Sequence, residues 1–138
     1  MNFVNIENIK GGYLPRNSNK DKMRILADWF VHDVGTGIRS WLDWFEDRNK
    51  LAEDTESNAT WLSKEWLPNG ECDITFGSIV DLIQDNSPVH ISDPAHVVIM
   101  PRENVIELLN TWKELLKIRP DKIMITEENG IYKMFAVQ

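Results

Sequence analysis

The sequence predicts an α+β protein, with helices packed on a mixed, mostly antiparallel sheet and a C-terminal helix followed by a β-hairpin. Three observations carry that expectation. In "PRENVIELLNTWKELLKI" (101–118), Val105, Leu108, Leu109, Trp112 and Leu116 recur at helical spacing, Pro101 takes the first helical position, Glu103 and Glu107 come early, and Lys117 and Arg119 come late. "DKIMITEENGIYKMFAVQ" (121–138) reads as two strands around Asn129-Gly130, the dipeptide that most readily adopts the positive φ angles of a tight hairpin turn. Third, no repeat, heptad or low-complexity tract is present, and 138 residues fit one domain, 1–138, able to bury roughly two thirds of its unfolded surface.

The remaining elements follow in chain order. "NFVNI" (2–6) is a short strand, and "GGYLPRNSN" (11–19) reads as a turn or loop from its glycines, proline and asparagines. Ser18 and Asp21 form a helix-start signature, and Met23, Leu26, Trp29 and Phe30 extend a first helix over about 19–34. Gly35 and Gly37 break it. A second amphipathic helix carries Ile38, Trp41, Leu42 and Phe45 at i, i+3, i+4 and i+7, which leaves Trp44 off the centre of the buried stripe. "EDTESNA" (53–59) reads as an exposed loop, and "TWLSKEWLP" (60–68) as a short helical turn ended by Pro68. Cys72, Ile74 and Phe76 alternate as a strand does. "SIVDLIQDN" (78–86) reads as two turns of helix or a strand, and "PVHIS" with "HVVIM" as two strands or one interrupted at Asp93-Pro94.

Composition narrows the function. The chain is 42% hydrophobic and 27% charged, as an ordinary soluble globular protein is, with no long apolar run and no signal-peptide pattern at its start, so a cytoplasmic location is expected. A lone cysteine, Cys72, excludes an internal disulfide framework and leaves only pairing between chains. The "NAT" sequon at Asn58 carries no weight outside a secreted chain. The net charge of -7 is unevenly spread: residues 28–93 hold fourteen acids against four bases, while 1–27 hold five bases against two acids. So acidic a middle repels phosphate backbones, which disfavours direct nucleic-acid binding and favours a basic protein partner.

Chemistry is sparse. His90, Asp93 and His96 lie three apart, but with a proline between them and no HExxH or CxxC pattern the spacing is nonspecific, and no metal or cofactor is expected. Glu71 and Asp73 flank Cys72 and oppose thiolate formation, so no catalytic residue is assigned. The chain has no GxGxxG, GxxxxGK[ST] or GxSxG. What remains is an acidic segment studded with aromatics. Asp43, Glu46, Asp47, Glu53, Asp54 and Glu56 are expected to supply an attractive field for a partner, and Trp44 an anchor.

In its length, in "LDWFEDRNKLAEDTE" (42–56) and in its ending "VIELLNTWKELLKIRPDKIMITEENGIYKMFAV" (105–137), the chain resembles bacterial immunity proteins of polymorphic toxin and contact-dependent growth inhibition systems. The resemblance implies binding and neutralising a cognate toxin, a basic nuclease, in the producing cell, and transfers no site residue by position. Two other classes compete. A protein-interaction adaptor would offer an exposed sheet edge or an apolar groove for a peptide, best supplied by the C-terminal hairpin, and a small enzyme would use His90, Asp93 and His96, or paired acids, in a deep pocket.

Overall fold

Alternating burial along the strands builds two antiparallel sheets, and helices pack against their buried faces. The computed structural model describes residues 1–9, 12–16, 22–49, 52–56, 60–78 and 97–137, with Arg16, Ala52, Glu53, Asp54 and Glu56 by backbone alone. Its elements are β1 (Asn2–Ile9), β2 (Gly12–Arg16), α1 (Lys22–Asp28), a π-helical turn (Trp29–Val34), α2 (Ile38–Glu46), β3 (Ala52–Glu56), β4 (Thr60–Trp66), β5 (Cys72–Ser78), β6 (Val97–Pro101), α3 (Arg102–Ile118), β7 (Lys122–Glu128) and β8 (Ile131–Ala136). The first sheet runs β2-β1-β7-β8 and the second β3-β4-β5-β6. The α+β architecture and the closing helix-hairpin are as the sequence predicts, divided over two sheets.

Pairing β1 with β7 joins the two ends of the chain, setting Val4 opposite Ile125 and Ile6 opposite Ile123, all fully buried. Helices α1 and α3 each touch strands of both sheets, so one cluster of buried residues draws on both sheets and every helix. Trp29 is the hub of its aromatic part. Its ring meets Phe30, Trp41, Phe45 and Phe76 edge-on at centroid distances of 4.8, 5.2, 6.1 and 5.0 Å, the arrangement that ring quadrupoles favour. Its indole Nε1 is buried without a hydrogen-bond partner among the described residues. Among the described residues, no helix is long and apolar enough to cross a membrane.

Several elements differ from the sequence-based expectation. The first helix is α-helical only to Asp28 and then widens, closing on a Gly35 N–H to Phe30 carbonyl bond of 2.9 Å that spans five residues. Gly35 ends it at φ 49° and ψ -118°, a conformation open to glycine. Residues 12–16, expected in a loop, form β2, and its Pro15 is tolerated because β2 is an edge strand. Residues 60–66 form β4 rather than a helical turn, because Leu62, Lys64 and Trp66 share the inner face at period two. The acidic stretch 53–56, expected in an exposed loop, is the edge strand β3, made a strand by its ladder with β4. Pro101 closes β6 and precedes α3 instead of opening it, and Leu115 is more buried than the expected Leu116. "SIVDLIQDN" from Ile79 on, "PVHIS" and His96 lie outside the described residues.

The hairpin turn behaves as the sequence predicts, with Asn129 and Gly130 at φ 55° and 81°. Glu127 braces it, its Oε2 accepting the Gly130 N–H at 2.8 Å and its Oε1 the Asn2 amide at 2.8 Å. These bonds, the backbone one first, hold its carboxyl below the ordinary carboxylate range. A depressed folded pKa contributes stability above the unfolded value near 4.5 that is lost as pH falls through the folded one. Glu127→Gln is therefore expected to flatten the acid limb of a urea-unfolding profile, and an unchanged limb would refute this.

Across the β4–β5 ladder Trp61 faces Gly77, and a Cβ there would overlap the indole. Gly77→Ala is expected to cost about 1–3 kcal/mol by overpacking, read as a lowered Tm; a Tm at or above the wild type would contradict the close approach.

Candidate partner-binding surface

The site is organised by a lysine on the inside of the second sheet. Lys64 is fully buried on β4, and its Nζ donates to the Trp44 carbonyl at 2.6 Å and the Asp47 carbonyl at 3.0 Å, both at the C-terminal end of α2. Those carbonyls carry the negative end of the helix dipole, where a cation is favoured. The same ammonium stands 4.3 Å from the centroid of the Trp44 ring. Trp66, on the same face of β4, donates its Nε1 to the Asp47 carbonyl at 3.1 Å. Two inward side chains of β4 thus fasten the end of α2 to the second sheet.

The sequence-predicted residues fall around this clamp. Asp43 is exposed on α2 and paired with the exposed Arg39 at 3.4 Å. Trp44 is half-buried, packed edge-on against Trp41 and Phe45 at 5.9 and 5.0 Å, so it is as much a part of the aromatic cluster as a surface anchor. Glu46 is exposed and accepts from Arg102 Nη1 at 2.9 Å. Asp47 caps α2, its side chain accepting the Asn49 N–H at 3.0 Å. Glu53, Asp54 and Glu56 stand on β3 in register with Lys64, Ser63 and Trp61. The fold thus gathers Asp43, Trp44, Glu46 and Asp47 on one helix and puts the other three on the strand paired with β4.

Arg102 links this helix to α3. Only 13% of its side chain is exposed, and its Nη2 lies 3.6 Å from Glu103 while Nη1 holds Glu46. Its guanidinium also stands 5.1 Å from the Trp66 ring, with Arg48 at 4.4 Å from the same ring. Through Arg102 the acidic side of α2 continues onto α3, where Glu103, Glu107 and Glu114 border a shallow groove floored by Ile106 and Leu115. Lys64, Trp66, Arg48 and Arg102 were not singled out from the sequence. The signal available was the period-two row Leu62, Lys64, Trp66, disguised by a charged residue at its centre.

Cys72 is buried at the start of β5, and burial pushes its thiol pKa up, against the fields of Arg102 and Lys64, which pull it down. Burial rather than the flanking acids is the main cause. Among the described residues, no group of three His, Cys, Asp or Glu is placed to hold a metal, and His90, Asp93 and His96 lie outside them.

Lys64→Met keeps the apolar stem and removes the ammonium. It is expected to lower unfolding stability by about 2–3 kcal/mol in chemical denaturation, the scale of lost charge-assisted bonds at a helix end; unchanged stability would show that the clamp carries no load.

Comparisons of the chain with protein-family models, with curated proteins and with solved structures found no match.

Proposed function

We propose that this chain is an inhibitory binding protein of the bacterial immunity type, which acts in the cytoplasm by occupying a basic protein target, a nuclease toxin, rather than by catalysis. The observation that carries this reading is the continuity of acidic surface from α2 to α3. Glu46 and Glu103 meet at Arg102, with 64% and 70% of their side chains exposed, and Asp43 extends the strip at 68%. Exposed ion pairs such as Arg39–Asp43 contribute little and can be exchanged for a partner's cations at low cost. A strip in which exposed acids predominate speeds encounter with a basic target.

The adaptor reading loses ground on a specific contact. β8 is an edge of the first sheet with Ile131 and Phe135 exposed, which would suit an added strand. Asn104 of α3 occupies that edge, its Nδ2 donating to the Tyr132 carbonyl at 2.9 Å and its Oδ1 accepting the Tyr132 N–H at 3.1 Å. The edge is blunted where a peptide would pair.

Trp44→Ala is a poor probe of binding, because the ring also packs on the core. Asp43→Lys with Glu46→Lys reverses charge at exposed positions. Captured with the product of the adjacent upstream reading frame, the wild type is expected to form a stoichiometric complex, with association about tenfold slower in the double variant and slowed by salt. No complex, or one indifferent to charge reversal and salt, would overturn the proposal.

A further inference from the structure

A second feature lies outside the acidic strip. Between β1, β2, the exit of the π-helical turn and the end of α3 is a cavity of about 370 Å³, lined by Asn8, Tyr13, Val31, Gly35, Thr36, Trp112, Leu116 and Arg119. That volume falls in the range of small-molecule sites. We propose that this cavity binds a small organic anion with a flat apolar body, of the aromatic carboxylate class.

Each part of that description answers a group on the wall. Trp112 and Tyr13 meet edge-on at 6.0 Å, and their polar atoms are already engaged: Trp112 Nε1 donates to the Gly35 carbonyl at 2.8 Å and the Tyr13 hydroxyl to the Pro120 carbonyl at 2.8 Å. Both rings are therefore fixed, and with Val31 and Leu116 they offer a preorganised apolar wall. Asn8 also lines the cavity, its Oδ1 buried and without a hydrogen-bond partner among the described residues. Arg119 sits just past α3 at φ 49°, its backbone N–H spent on the Leu115 carbonyl at 2.9 Å, and its guanidinium forms no ion pair among the described residues. A guanidinium at the rim of an apolar cavity favours a planar carboxylate, which it can hold by two parallel bonds. Asp121, which is exposed, contributes an opposing charge near Tyr13.

The test is an NMR titration of the full-length ¹⁵N-labelled chain with indole-3-acetate and, separately, phenyl phosphate. Binding of indole-3-acetate is expected as saturable shifts confined to the Trp112 indole N–H, the Asn8 side-chain amide and residues around Arg119. For indole-3-acetate, its neutral amide is expected to bind about tenfold more weakly, as is the acid to Arg119→Gln. No saturable shift with either anion, or affinity indifferent to both Arg119→Gln and removal of the ligand charge, would overturn the assignment. Saturation by phenyl phosphate alone would likewise overturn the carboxylate assignment.

Discussion

The structure turns on one buried cation. A lysine ammonium taken out of water is costly unless its N–H groups find acceptors, and at Lys64 the two acceptors on α2 are carbonyls that the helix leaves exposed at its end. The requirement is mutual. Helix α2 needs a donor at its C-terminus, β4 needs a sink for its charge, and the Trp66 indole, sharing the Asp47 carbonyl, fixes the angle at which they meet. From this follow the packing of Trp41 and Phe45 against Trp29 and the outward presentation of Asp43 and Glu46. Removing the clamp would loosen α2 where its acidic side meets α3.

That dependence explains why parts of the fold are legible in the sequence and others are not. Helix α3 and the β7–β8 hairpin announce themselves because their signals are local: an apolar stripe, acids before bases, and an Asn-Gly turn. β4 hides because the residue in the middle of its inner row is a lysine, which any reading of periodicity scores as outward. β3 hides because "AEDTE" has no apolar alternation at all; it is a strand only by pairing, and acids on an edge strand discourage further pairing. β2 hides behind Gly12 and Pro15, which signal turns but are tolerated at a sheet edge.

The candidate surface divides in the same way. Asp43 and Glu46 can be placed on the solvent side of α2 from the stripe they complement. The residues that hold and extend the surface cannot, because Lys64 lies 20 positions from Trp44 and Arg102 lies 56 from Glu46. Trp44, picked out by its acidic neighbours, proves to be shared between surface and core, its ring lying against Lys64 as well as Phe45. Aromatic residues among acids therefore mark where a helix is anchored as well as where a partner could land. The cavity lined by Asn8 and Arg119 has no linear signature at all, since β1, β2, the π-helical turn and α3 each supply only part of its wall.

Native-state hydrogen exchange of the α2 amides tests the central claim most directly. If the Lys64 clamp makes α2 part of the second sheet, the amides of its last turns exchange with the same opening free energy as those of β4 and β5, through shared unfolding. Exchange of those turns by local fraying, at a free energy far below that of the strands, would contradict it.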